Sequence, residues 1–391
     1  MSASEKNYRL DTPTAILTGG GCRKLIGSIV NELDAKRVLL VTDPGVIELG
    51  VAGEITGLLE SAGCVVKVFH EVQPDPTDEN VSNGVNALNE HQAELVVAVG
   101  GGSPIDAAKV IAIRPRNNEP LPNFLGLHKI QNPGLPLVAV PTTAGTGSEA
   151  TKAAVITNTA DNVKMMMLSV PLLPRVALVD YELSMSMPQT LTAAVGVDTL
   201  THGIEAYVSK KNNGMSDPLA LSCIDLVGKF LKQAWNNPDD LEARKGMMLA
   251  ATQGGMAFSN SSVCLVHGMS RPIGAVFHLP HGLSNAILLP TITEFSWPSD
   301  PERYAVVART LGCADKNTED SAACKALIDY LKKLNSDLEL PRLSECQGVT
   351  REVFDEQVQK MASDSIASGS PANNPRVPSA EQIIDLYDKA W

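Results

Sequence analysis

The chain has 391 residues, 44% of them apolar and 19% charged, and carries a net charge of −12. That length can bury more than one core, and the balance is that of an ordinary soluble globular enzyme. The acidity is spread along the chain without any basic stripe, which argues against a nucleic-acid partner.

The opening stretch MSASEKNYRL has no apolar core of the kind a leader needs, and no apolar run approaches ~18 residues, so neither a leader nor a membrane span is expected. A glycine cluster, Gly19-Gly20-Gly21, precedes a short helical pattern through Leu25, Ile26 and Ile29. VLLVTD (38–43) is a β-branched and aliphatic run that ends in an acid. VVKVF (65–69), LVVAVGGGS (95–103), LVAVP (137–141) and VALVD (176–180) repeat the type. Such runs read as strands buried on both faces of a parallel sheet, and the helical stretches between several of them predict a doubly wound, Rossmann-like sheet. Near Pro188 the character changes to helical spacing, as in DPLALSCIDLVGKFLK (217–232). A further helix is expected to start at Thr318, and another after the capping-box pair Ser379 and Gln382. The chain therefore divides into an α/β domain over 1–187 and an all-helical domain over 188–391. Seven scattered cysteines, never spaced as C-x-x-C, fit reduced thiols and a cytoplasmic protein.

Three clusters carry candidate chemistry. The first is Gly100-Gly101-Gly102-Ser103, directly after a strand, where ligands of parallel sheets bind. Its backbone can approach a pyrophosphate, and the helix from Pro104 offers N–H groups; from the glycines alone a plain structural turn is the favoured reading. A second dinucleotide-like spacing, Gly145-x-Gly147-x-x-Ala150, has no acid at the right distance and is set aside. Next comes Asp43, able to accept from an adenosine ribose or simply to cap the helix that Pro44 and Gly45 introduce. The third spans GVDTLTHGIEAY (196–207) and HGMSRPIGAVFHLPHG (267–282), which hold four of the seven histidines. Asp198 and His202 lie one helical turn apart. His267 and His281 come from a segment expected to be broken by Pro272, Gly274 and Pro280. One carboxylate and three imidazoles suit Fe²⁺ or Zn²⁺, while an interface histidine cluster has the same spacing.

GVDTLTHGIEAY, VHGM…PHGLSNAILLP, GGGSPIDAAK (100–109) and PTTAGTGSE (141–149), in this order, resemble the iron-containing alcohol dehydrogenases, with similarity from about Ala35 to the C-terminus. The resemblance implies four metal ligands, Asp198, His202, His267 and His281, and a dehydroquinate synthase-like architecture. It also implies NAD contacts at Asp43, Asp75, Gly100, Gly101, Gly102, Ser103, Thr142, Thr143, Thr146 and Lys164. Asp43 matches an aspartate associated with preference for NAD over NADP. The implied reaction is hydride transfer between NAD(H) and a small aldehyde or ketone and its alcohol, with Fe²⁺ or Zn²⁺ polarising the oxygen in a cleft between the domains. A homodimer or higher homo-oligomer is expected. Two other classes are weighed: a dehydroquinate synthase-type lyase, for which no set of phosphate-holding basic residues is found, and a non-catalytic metal- or nucleotide-binding protein.

The chain departs from the family at one place. Many members read H-G-M-A-H-P after the third ligand, where this chain has Arg271, and a further histidine, His278, stands three before the last ligand. Histidine can exchange protons near neutral pH and arginine cannot, so where a side chain relays the alcohol proton His278 is the better candidate, water alone being the alternative. Arg271 could grip an anionic substrate tail. The favoured reading pairs it with an internal acid such as Glu205 or Asp217.

Overall fold

The aliphatic runs become strands because their β-branched side chains fill both faces of a sheet wrapped by helices. The computed structural model describes residues 7–161 and 163–391; residues 1–6 of the MSASEKNYRL stretch lie outside the described residues. The strands are β1 (Ala15–Thr18), β2 (Arg37–Val41), β3 (Val65–Phe69), β4 (Leu95–Gly100), β5 (Gly126–Leu127), β6 (Leu137–Pro141), β7 (Ala153–Asn158), β8 (Val163–Leu168) and β9 (Val176–Val179). Six of them form a parallel sheet in the order β1-β9-β6-β4-β2-β3.

The helices of this region are α1 (Ile26–Glu32), α2 (Pro44–Glu48), α3 (Val51–Ser61), α4 (Asp78–His91) and α5 (Gly102–Ile113). Alternation along β2 assigns them to two faces. Val38 and Leu40 join a core with Ile26 and Ile29 of α1 and Ile55 and Leu59 of α3. Leu39 and Val41 join a second core with Val81 and Leu88 of α4 and Ile105 and Ile111 of α5. This is the doubly wound arrangement expected from the sequence. One strand departs from it: VVKVF is not buried on both faces, because β3 is the sheet edge and Val65 is 62% exposed. A second sheet, β5-β8-β7, was not anticipated. Its β7–β8 pair is antiparallel and buries Ala154, Ile156, Met165 and Met167 on alternating positions.

From Gln189 onward the described chain is helical: α6 (Gln189–Val208), α7 (Asp217–Asn236), α8 (Leu241–Asn260), α9 (Leu265–Phe277), α10 (His281–Ser296), α11 (Pro301–Thr310), α12 (Asp320–Asp337), α13 (Arg351–Ala367) and α14 (Ala380–Ala390), with short 3₁₀ turns between. The Ser379–Gln382 capping box forms as expected. The helix expected from Thr318 is capped instead by Glu319, whose carboxylate accepts from the Ala322 N–H. Among the described residues no helix is long and apolar enough to cross a membrane.

By contacts the chain falls into two compact units. One contains Thr12–Gly196 and Phe230–Gly255; the other contains Val197–Lys229 and Met256–Trp391 with the described residues up to Asp11. Apart from the change between Asp11 and Thr12, each change of unit falls inside a helix: α6, α7 and α8.

Candidate active site

In the first unit, the chain runs from β2 outward to β3, then returns to β4 on the other side of β2. The winding direction reverses there, and ligands of such sheets bind at the carboxyl ends of the strands beside the reversal. Asp43 follows β2, and Gly100 ends β4. Gly100 adopts φ +149°, and a Cβ on it would lie 2.7 Å from Pro104 Cγ and 3.2 Å from Asp43 Oδ2. A Cβ on Gly101 would meet Thr143 at 3.3 Å, and one on Gly102 would meet Thr146 at 2.8 Å. The Thr142 N–H donates to the Gly100 carbonyl at 3.0 Å. The structure thus brings Asp43, the three glycines, Thr142, Thr143 and Thr146 together, with Ser103 in the first turn of α5. That helix begins at Gly102, two residues before the expected start.

Asp43 is also a helix cap: its Oδ1 accepts from the Val46 N–H at 3.0 Å. The two readings of this residue use different oxygens, since Oδ2 is the one that lies towards Gly100. Asp75, in a left-handed conformation at φ +54°, forms a 2.8 Å ion pair with Lys164, so these two expected contacts meet each other.

The second sequence feature of this loop has a packing explanation. Gly147, part of the set-aside dinucleotide spacing, adopts φ +61°, and a Cβ there would lie 2.4 Å from the Ala251 carbonyl oxygen. Behind the loop, the buried Lys109 ammonium donates to Ser148 Oγ at 2.7 Å, Thr151 Oγ1 at 3.0 Å and the Ala153 carbonyl at 2.6 Å. Asp106 accepts from Ser148 Oγ and from the Val155 N–H. The acid and lysine of GGGSPIDAAK therefore tie α5 to the threonine loop.

The other unit holds the histidines. Asp198 and His202 sit on α6, His267 near the start of α9, and His281 at the first position of α10. Pro272 and Gly274 do not break their segment. α9 runs through both, because Pro272 lies within a thirteen-residue helix, and the reversal comes at His278, left-handed at φ +55°, followed by Leu279 and Pro280. Ligand atoms of Asp198, His267 and His281 lie within 4.8 Å of one another. Asp198 Oδ1 is 3.7 Å from His202 Nε2, 3.7 Å from His267 Nε2 and 4.0 Å from His281 Nε2. His202 stacks on His267 (centroids 4.8 Å apart) and on Phe258 (4.5 Å), and its Nδ1 is buried without a hydrogen-bond partner.

Two residues here were missed. Glu205 shares the α6 face with Asp198 and His202, and its carboxylate accepts from His267 Nδ1 at 2.7 Å and from the N–H groups of Cys264 and Val266. A carboxylate behind a histidine fixes the ring's orientation and tautomer. Burial pushes Glu205 up to about 7, and the two N–H bonds pull against that rise. Burial, then the neighbouring His202 and His281, hold the His267 imidazole well below its usual range, so it stays neutral. Burial works to raise the Asp198 carboxyl, but the three imidazoles and Asn285 outweigh it and hold Asp198 below its usual value. Asn285, the second missed residue, donates from Nδ2 to Asp198 Oδ1 at 2.6 Å. A buried carboxylate among three imidazoles is a donor set for a divalent ion of intermediate hardness, so these residues fit one.

Arg271 donates to Ser370 Oγ at 2.9 Å and lies in the field of Glu205, while burial lowers it to about 10. Asp217 is engaged elsewhere, by Arg303 at 2.7 Å. His278 is exposed at the α9–α10 turn.

Comparison with known proteins agrees with this arrangement. Residues 13–181 match the family described as iron-containing alcohol dehydrogenase, and residues 192–391 match the C-terminal part of the Fe-containing alcohol dehydrogenase family. The chain is 34% identical over 378 residues to an NAD-dependent methanol dehydrogenase of Bacillus methanolicus, covering 97% of this chain and 98% of that protein. It is 34% identical over 381 residues to a 1,3-propanediol dehydrogenase of Citrobacter freundii, covering 97% of each. A solved structure of a 1,3-propanediol oxidoreductase superposes with a TM-score of 0.95 at 33% identity, over 99% of this chain and 100% of the other. With both halves of the chain matched and relatives aligned almost end to end, this protein belongs to the iron-containing alcohol dehydrogenase family.

Proposed function

We propose that the chain interconverts small aldehydes or ketones with their alcohols, exchanging hydride with NAD(H), at a divalent metal held by Asp198, His202, His267 and His281. The observation that carries the reading is the convergence of buried Asp198 and His267 with half-buried His281, backed by Glu205, in a chain of this family. The relatives named above are dehydrogenases and an oxidoreductase, which leaves the lyase and non-catalytic alternatives without support.

A bound 2+ ion supplies Lewis-acid polarisation of a substrate oxygen, and nicotinamide supplies or accepts the hydride. The protein's own part is positioning. Glu205 holds His267 with its Nε2 lone pair inward, and burial keeps that ring neutral and ready to bind. Gly100, Gly101 and Gly102 let the backbone approach a pyrophosphate, and the start of α5, with Ser103, gives it N–H groups and the positive end of a helix dipole. Thr142, Thr143 and Thr146 lie on the facing loop and would help hold the cofactor, with Asp43 accepting from its ribose and the Asp75–Lys164 pair beside it. In this reading His278 is the proton relay, and Arg271 stiffens the surroundings of Glu205 through Ser370. Fe²⁺ is the expected ion, with Zn²⁺ accepted by the same donors. The seven free thiols, six of them buried, suit a cytoplasmic protein, and a homo-oligomer is the expected assembly.

The test has two arms. His267→Ala or His281→Ala should abolish metal retention by elemental analysis together with aldehyde-dependent NADH oxidation. A variant that keeps its full metal complement overturns the ligand assignment, and a metal-loaded wild type inert towards a panel of aldehydes overturns the activity.

A further inference from the structure

Asn285 lies four residues after His281 on α10, so both side chains leave the same face of that helix one turn apart. It is fully buried. Its amide nitrogen touches three of the four ligand residues: Asp198 Oδ1 at 2.6 Å, His267 Nε2 at 3.2 Å and His281 Nε2 at 3.1 Å. Its oxygen, equally buried, has no hydrogen-bond partner.

That arrangement is unbalanced in two ways. A carboxamide nitrogen carries two N–H bonds, and here it faces three atoms. His267 certainly presents a lone pair, because its other nitrogen is turned to Glu205 at 2.7 Å. At the opposite end of the group, a buried amide oxygen without a donor is destabilising relative to a satisfied one. A side chain kept only as a hydrogen-bond clip would have its oxygen paired. The two ends of a carboxamide are nearly the same size, and a half-turn about χ2 exchanges them without moving the backbone. A cation among Asp198, His267 and His281 repels the N–H end and attracts the carbonyl end, since amide oxygens are ordinary neutral ligands of divalent ions.

We propose that Asn285 is a fifth donor of the metal centre, capping the ligand atoms with its N–H end and turning its amide oxygen inward when a divalent cation is bound. The proposal rests on the metal reading above. It assigns Asn285 a role in metal affinity and coordination number that the aspartate and histidines alone do not provide.

Three variants test it, each stripped with chelator and reloaded with Zn²⁺ or Co²⁺. Asn285→Leu keeps the size and removes both polar ends. Asn285→Asp presents oxygen at either end. His267→Ala removes an accepted ligand and serves as the control for the underlying reading. Asn285→Leu should weaken Zn²⁺ binding by about 10–100-fold, and its Co²⁺ visible bands should intensify as the coordination number drops. Asn285→Asp should keep the wild-type Co²⁺ spectrum and bind Zn²⁺ at least as tightly as wild type. Should the leucine variant fail to fold by circular dichroism, Asn285→Ala is measured in the same way and the Co²⁺ spectrum decides. If His267→Ala loses metal while the Asn285 variants match wild type in affinity and spectrum, the fifth-donor proposal is overturned and the four-ligand reading survives. If His267→Ala retains metal, the ligand reading itself fails and the proposal falls with it.

Discussion

Glu205 concentrates three bonds on one buried carboxylate, two from backbone N–H groups and one from His267, and this makes it the residue whose replacement is most informative. Glu205→Gln keeps the shape but brings its own N–H groups against the donors of Cys264 and Val266. Loss of the charge behind His267 should weaken metal affinity by about 10–100-fold and lower kcat, as replacing carboxylates behind metal-bound histidines does. Isothermal titration with Zn²⁺ checks it, and an unchanged affinity would reduce Glu205 to a packing role. Asp43 offers a cleaner separation. Serine caps a helix about as well as aspartate, so Asp43→Ser should leave thermal stability nearly unchanged while removing the charge proposed to repel a 2′-phosphate. The ratio of kcat/KM for NADPH to that for NADH should rise about tenfold, a change of about 1.4 kcal/mol. A fall in Tm without a change in that ratio would leave Asp43 as a cap only.

At the scale of elements, the close approach of loop and helix is set by two glycines. A Cβ on Gly255 of α8 would stand 2.5 Å from the Gly147 carbonyl oxygen. Helix propensity alone favours alanine there by about 1 kcal/mol, but backbone cannot yield as a flexible side chain can. Gly255→Ala should therefore destabilise the protein by about 1–3 kcal/mol and raise KM for NADH by shifting the threonine loop; a more stable variant would contradict the contact. The same scale shows what the sequence made legible. Aliphatic runs in register revealed β2, β4, β6 and β9 because both faces of those strands are buried. VVKVF was misread because its own residues do not say that no strand lies beyond it. The β7–β8 hairpin went unseen because Met165, Met166 and Met167 blur the alternation that marks a half-buried strand. Asp198 and His202 were visible at helical spacing. Glu205 sits on the same face and could have been found by extending that spacing one turn. Asn285 could not, since its contacts come from α6, α9 and α10 together.

Across the whole molecule, every expected metal ligand belongs to one compact unit, and the glycine and threonine loops belong to the other. Ligands that bind only folded protein stabilise it by about 2.7 kcal/mol at a hundredfold excess over Kd. Chelation should therefore speed hydrogen exchange first in α6 beyond Val197, α9 and α10. NADH should slow it around Gly100–Ile113 and the 141–149 loop. Mass-spectrometric exchange with each ligand omitted in turn reads both effects, and protection of the histidine helices by NADH in fully chelated protein would contradict the assignment.

The interruption of the α/β unit by 197–229 has a consequence for biosynthesis. α8 supplies this unit with Arg244, which donates to Thr192 Oγ1 and the Met187 carbonyl, and with Thr252, which donates to the buried Glu149 at 2.7 Å. A nascent chain that has emerged only to Gly196 therefore has an acid in its interior with no hydroxyl to meet it. At ribosomal rates of about 5–20 residues per second, it must wait several seconds for residue 252. Most of the α/β unit is encoded before residue 197 but it is complete only at Gly255, so its maturation is timed by the intervening segment that carries Asp198 and His202.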